Sequence, residues 1–136
     1  MAAKDFDLSQ FETIDTATLT VLNPRGDELL VNGDPVTITL YGPGSKQFMN
    51  SKYKLDNANQ ARSIAIIRGK TLKNAAEEAR QNQAEFYANV TASIDNFPIE
   101  GGALALYLNP KLSYITDQVE KFLGETENFM PSLSAK

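Results

Sequence analysis

The chain has no cysteine and no histidine among its 136 residues. Without cysteine there is no disulfide, no thiolate nucleophile and no zinc–thiolate site. Without histidine the usual general base near neutral pH and the commonest metal ligand are missing too. Long apolar runs are also absent. Stretches such as Ile64-Ala65-Ile66-Ile67 fall far short of the roughly 18 apolar residues that a membrane-spanning helix needs. Met1 to Asp7 carries no apolar segment of the secretory kind, so a cytoplasmic protein without membrane contact is expected. These absences remove most familiar enzyme mechanisms, and neither catalysis nor a cofactor nor a metal is expected.

What is present describes an ordinary folded domain. Hydrophobic residues make up 42% and charged ones 22%, and the length suits one core. The formal net charge of −4 conceals a segregation. Residues 1–45 hold seven acidic and two basic side chains, and residues 74–136 hold nine acidic and four basic. Between them, Lys46, Lys52, Lys54, Arg62, Arg68, Lys70 and Lys73 face Asp56 alone. Long basic side chains solvating a helical face would give this pattern. So would a basic surface that meets an acidic one on a partner or a neighbouring copy. Nucleic-acid binding is disfavoured by an isoelectric point near 4.8.

Periodicity suggests an α+β fold, with a small N-terminal antiparallel three-stranded meander followed by three to four packed helices. Residues 1–12 read as a flexible acidic arm with isolated Phe6, Leu8 and Phe11. A single globular domain is expected over 13–124, its strands within 13–42 and its helices within 45–124. Ala17-Leu19-Val21 and Val36-Ile38-Leu40 alternate with threonines as half-buried strands do, and Leu29-Leu30-Val31 suggests a strand between them. Asn23-Pro24-Arg25-Gly26-Asp27 and Asn32-Gly33-Asp34-Pro35 supply the turns. Ser45 suits a helix N-cap, with weak helix formers near 54–57 allowing a break and Gly69 ending the segment. Leu72, Ala76, Ala79, Gln83, Phe86, Val90, Ile94 and Phe97 predict one long helix, stopped by Pro98. Ala103 to Leu108 reads as a short apolar turn or helix. The final helix is signalled by Asn109 as N-cap, Pro110 at the first position, an apolar face of Leu112, Ile115, Val119, Phe122 and Leu123, and a left-handed Gly124. Asp117 and Lys121 are spaced to pair on its outer side. Residues 125–136 are then a polar tail carrying Phe129, Met130 and Leu133, and removing it is expected to spare folding.

The chemical motifs are weak. Gly69-Lys70-Thr71 lacks the glycine five positions earlier that a phosphate loop requires. Gly42-Pro43-Gly44-Ser45 could turn amides toward an anion, but Pro43 removes a donor. Arg25-Gly26-Asp27 and the Asn89-Val90-Thr91 sequon are read as chance matches. Glu77, Glu78 and Glu85 form the best carboxylate cluster, yet Arg80 lies near and a solvated helix face explains them.

The segment from Leu106-Tyr107 through Pro110, Leu112, Tyr114-Ile115, Gln118-Val119 and Phe122 to Asn128-Phe129 resembles the C-terminal signature of tail assembly chaperones from long-tailed bacteriophages. The Asn23–Leu29 turn, the Thr37–Ser45 strand-to-helix junction, and Thr91, Ile94 and Asn96-Phe97 are similar to other parts of that family. Gly44 stands where the family often has aspartate, and Phe97 and Tyr114 stand where many relatives have tryptophan. The resemblance implies a non-enzymatic assembly factor of the infected bacterial cytoplasm, absent from the mature virion. Its implied partners are the tape measure protein, the major tail tube protein and further copies of itself in a head-to-tail homo-oligomer. A second, longer form made by frameshifting is a frequent property of such proteins. Lys46, Lys52, Lys54, Arg62, Arg68, Lys70, Phe129, Met130 and Leu133 are the candidate interaction residues. A structural head–tail connector or tail completion protein, and a small nucleic-acid-binding regulator using residues 46–73, are the competing readings.

Overall fold

Thr37-Ile38-Thr39-Leu40-Tyr41 organises the molecule, because its alternation puts Ile38 and Leu40 fully into the core and its threonines outward. The computed structural model describes residues 6–70 and 74–131, and the statements below concern those residues. In chain order the strands are β1 (Thr16–Thr20), β2 (Leu30–Val31), β3 (Asp34–Pro35), β4 (Thr37–Tyr41) and β5 (Thr91–Asp95). The helices are α1 (Lys46–Ile67), α2 (Ala75–Asn89), α3 (Gly102–Leu108) and α4 (Ser113–Gly124). This is an α+β fold with a three-stranded antiparallel sheet in the order β1-β4-β5.

The third strand differs from the expected meander. Residues 29–31 do not join the main sheet; β2 and β3 form a separate two-stranded hairpin. Its turn uses Asn32 and Gly33 at φ 55° and 85°, the left-handed pair that tight hairpins favour. Asn96 clamps the hairpin by donating from Nδ2 to the carbonyls of Val31 and Asp34, at 3.0 and 2.8 Å. The sheet is completed instead by β5, from the segment expected to be the second half of a long helix. α2 stops at Asn89, and Ile94 then pairs opposite Ile38. Apolar residues four apart suit a helix face, but β4 had a free edge whose amides and carbonyls required partners.

Four further expectations are corrected. α1 runs unbroken through 54–57. Asn109 does cap, accepting from the Lys111 N–H at 2.9 Å, but a 3-10 turn over Pro110–Leu112 precedes α4. Gly124 is helical rather than left-handed, and the chain turns away at extended Glu125. Asp117 and Lys121 are not among the ion pairs of the described residues, which are Lys52–Asp56 and Arg80–Glu77. Other signals hold: Ser45 accepts the Phe48 N–H at 3.1 Å, and Gly69, at φ 81°, follows the end of α1.

One core joins the sheet to the helices. Val21, Val36, Ile38 and Leu40 meet Val90 at the end of α2, Leu106 of α3, and Ile115, Val119 and Leu123 of α4. Gln118 locks α4 to the chain beyond β1: its amide accepts from the Leu22 N–H and donates to the Leu22 carbonyl, both at 2.8 Å. A side chain thereby satisfies backbone groups that a further strand would otherwise pair.

Phe129 closes this core. It lies in a 3-10 turn (Thr126–Phe129), fully buried, edge-on to Phe122 at 5.5 Å. Its carbonyl accepts the Ile14 N–H at 2.6 Å. A Cβ at Gly42 would lie 2.5 Å from the Phe129 ring, so glycine is needed there for the ring to fit. The packed domain therefore extends past 124, and residues 125–130 belong to it rather than to a dispensable tail.

Candidate interaction surface

α1 has 22 residues, about 33 Å of helix, yet only Ser51 and Leu55 of them are buried. Its inward line is Phe48, Ser51, Leu55, Ala58, Arg62 and Ala65, one residue every three or four, and it packs chiefly on α2. Phe48 meets the edge of Phe86 at a ring separation of 5.4 Å. The remaining apolar residues do not follow this line. Met49 and Tyr53 point outward near the start, 55% and 73% exposed. Ile64, Ile66 and Ile67 are exposed near the end, Ile67 at 82%. Scattered single apolar residues are normal on a surface; several on one helix, interleaved with cations, form a surface suited to binding protein.

The basic candidates divide. Lys46, Lys52, Lys54, Arg68 and Lys70 are exposed on or just beyond α1. Lys52 lies 3.3 Å from Asp56, both more than half exposed, so the pair adds little stability. Arg62 does not belong with them. It turns inward, and its guanidinium donates to Asn59 Oδ1 at 2.9 Å and to Asn82 Oδ1 across on α2. It is a tie between helices, and the inward line of α1 is the reason: position 62 falls on it. Phe129 likewise leaves the candidate set, since a fully buried ring offers no docking surface. Met130 remains partly exposed at the rim. Leu133 and Lys73 lie outside the described residues.

Pro43, Phe48, Met49 and Tyr53 line an open depression of about 320 Å³ at the root of α1, with Lys52 and Asp56 at its rim. The helical spacing of the sequence does not reveal it, because Met49 and Tyr53 read equally well as core. At the other end of the chain Phe6, Leu8 and Phe11 are all exposed, as the isolated apolar residues of an acidic segment suggested.

Glu77, Glu85 and Ser45, flagged in the sequence, are engaged internally. Glu77 accepts from Arg80 at 3.0 Å, and Glu85 from Gln81 at 3.1 Å. Arg80 also reaches the Leu108 carbonyl and so ties α2 to α3. The Ser45 hydroxyl, buried, donates to the Gly42 carbonyl at 2.7 Å while capping α1. Among the described residues no three acidic side chains gather as metal ligands would, and no helix is long and apolar enough to cross a membrane.

Tyrosine protonation reports burial, not chemistry. Burial pushes the Tyr107 phenol up to about 12 despite its 2.7 Å hydrogen bond with Thr91, and burial raises Tyr87 as well. In the arm, hydrogen bonds from Ser9 hold the Asp7 carboxyl below its usual value.

Comparison of the chain with protein-family models, with curated proteins and with solved structures finds no match. The surface itself, together with the resemblance in the sequence, therefore carries the functional reading.

Proposed function

We propose that this chain is a non-enzymatic assembly chaperone of bacteriophage tails. In this reading it associates with itself head to tail, keeps the tape measure protein soluble and helps recruit tail tube subunits. It works in the cytoplasm of the infected bacterium and is left out of the finished virion. The observation that supports it best is α1: a long helix packed along one line, which leaves Ile64, Ile66 and Ile67 exposed at its end beside Arg68 and Lys70. Such a face suits an amphipathic helix with acidic flanks, apolar contacts giving affinity and charge giving orientation. The motifs between Leu106 and Phe129 resemble the chaperone family but are packing motifs, so they speak for kinship of fold rather than for the working face.

Co-expression with the tape measure protein of the same phage tests the proposal. The wild-type chain is expected to hold that protein in the soluble fraction and to co-purify with it. Replacing Ile66 and Ile67 by serine is expected to reduce the recovered complex while leaving the thermal transition in place. A tape measure protein that is equally insoluble with and without the chain would refute the chaperone role. Stoichiometric amounts of the chain in purified particles would instead favour the connector or tail completion reading.

A further inference from the structure

The N-terminal arm and the root of α1 complement each other in shape and charge. Residues 6–15 contain Asp7, Glu12 and Asp15 and no basic side chain. They also carry three large apolar side chains that the fold leaves in solvent: Phe6, Leu8 and Phe11, at 60%, 57% and 64% exposure. The segment is shaped rather than loose. Asp7 accepts the backbone N–H of Ser9 at 3.1 Å and its hydroxyl at 2.7 Å, starting a 3-10 turn over Leu8–Gln10. Across that turn the Phe6 and Phe11 rings stack at 5.5 Å and 10°. The root is fixed, since Ile14 donates to the Phe129 carbonyl and the Asp15 carbonyl accepts from Gly42. An anchored acidic segment thus presents a compact apolar knob.

The depression lined by Pro43, Phe48, Met49 and Tyr53 has the opposite character. Its walls are apolar, Lys52 borders it, and Lys46 stands exposed on the same end of α1. Lys52 pairs with Asp56, in an exposed pair that an incoming carboxylate can replace at small cost. Among the described residues, those of the chain's own arm do not fill this space. Its rings stack on each other, and none of its residues lines the depression.

We propose that the arm of one copy docks its Phe6–Leu8–Phe11 knob into the Pro43–Phe48–Met49–Tyr53 depression of the next, with Asp7 and Glu12 set against Lys46 and Lys52. This rests on the head-to-tail association in the proposed function and names the two surfaces that make it. The contact is heterologous: each docked copy keeps one free arm and one free depression, so association propagates instead of stopping at a symmetric pair. Apolar anchors provide the affinity, and the exposed charges set partner orientation and salt sensitivity.

The test uses two variants of the full chain, Phe6→Ser/Phe11→Ser in the arm and Met49→Ser/Tyr53→Ser in the depression. All four positions are exposed, so unchanged thermal transitions are expected. Analytical ultracentrifugation should show the wild type growing beyond a dimer as concentration rises and shrinking as salt is added. Each variant alone should associate at least about tenfold more weakly. The decisive sample is their equal mixture. One copy then has only a working arm and the other only a working depression, so a one-to-one heterodimer that grows no further is expected. A mixture that stays monomeric overturns the inference, because the two substitutions would not lie on opposite sides of one contact. Variants that assemble like the wild type overturn it too, while leaving head-to-tail association by another surface open. A wild type that is monomeric at every concentration and salt removes both the contact and the self-association it rests on. Failure to hold the tape measure protein would touch the chaperone role alone.

Discussion

α1 and α4 are built from similar amounts of apolar sequence per turn and end in opposite situations. α4, with 12 residues, buries Ile115, Val119 and Leu123 along a single stripe. α1, with 22 residues, buries Ser51 and Leu55 and leaves Met49, Tyr53, Ile64, Ile66 and Ile67 outside. The difference lies in arrangement. In α4 the apolar residues recur at the helical period, so one face takes them all; in α1 they fall on more than one face, and α2 covers only one of them. A helix that satisfies its own fold is a marker of that fold. A helix with apolar surface left over is where a partner gains by binding.

The largest effect should come from the packed side. Phe129→Ala removes a fully buried ring held between Phe122 and Gly42, and is expected to cost about 3–5 kcal/mol in urea unfolding. A loss below about 1 kcal/mol would mean that the segment after Gly124 is a tail after all and that the contrast is drawn in the wrong place.

A smaller effect concerns Tyr107, on the same side. Its folded pKa, about 12, lies above the ordinary 10.0 of an exposed phenol. The unfolded chain therefore loses this proton first as pH rises. The stability linked to Tyr107 is complete below pH 10, falls as pH climbs from about 10 to 12, and amounts to about 2–3 kcal/mol. Tyr107→Phe should flatten that part of a plot of unfolding free energy against pH. An unchanged slope would show the ring to be more accessible than its packing indicates.

The smallest effect on stability is expected on α1. Tyr53→Ser or Ile67→Ser should shift the unfolding free energy by no more than about 0.5 kcal/mol, although each removes a large apolar side chain. If either costs as much as a core truncation, α1 has a covered face in the free protein and the proposal that it binds a partner is wrong.

Legibility in the sequence followed the strength of local patterning. β4 was readable because Val36, Ile38 and Leu40 alternate with threonines, and α4 because its apolar residues repeat at helical spacing after a capping Asn109. The exposed apolar residues of the arm were readable because no periodic partner surrounds them. β5 was not. Phe86, Val90, Ile94 and Phe97 fit a helix as well as anything local can, and the strand exists because β4 offers it an edge. Arg62 looked like one of several equivalent cations; its place on the line that α2 covers, opposite Asn82, separates it from Lys54 or Arg68.

By itself the sequence settled the chemistry that is excluded for want of cysteine and histidine, the α+β class, the turns at Asn23–Asp27 and Asn32–Gly33, and the separation of basic from acidic segments. These depend on composition and on neighbours a few residues away. Tertiary structure alone decided that residues 91–95 are a strand, that Phe129 is core rather than a hook, and that Met49 and Tyr53 are surface rather than core. An apolar side chain carries no record of which other element will cover it. That depends on how much covering surface the rest of the chain supplies, and here α3, α4, β5 and Phe129 use it around the sheet, leaving the outer side of α1 bare.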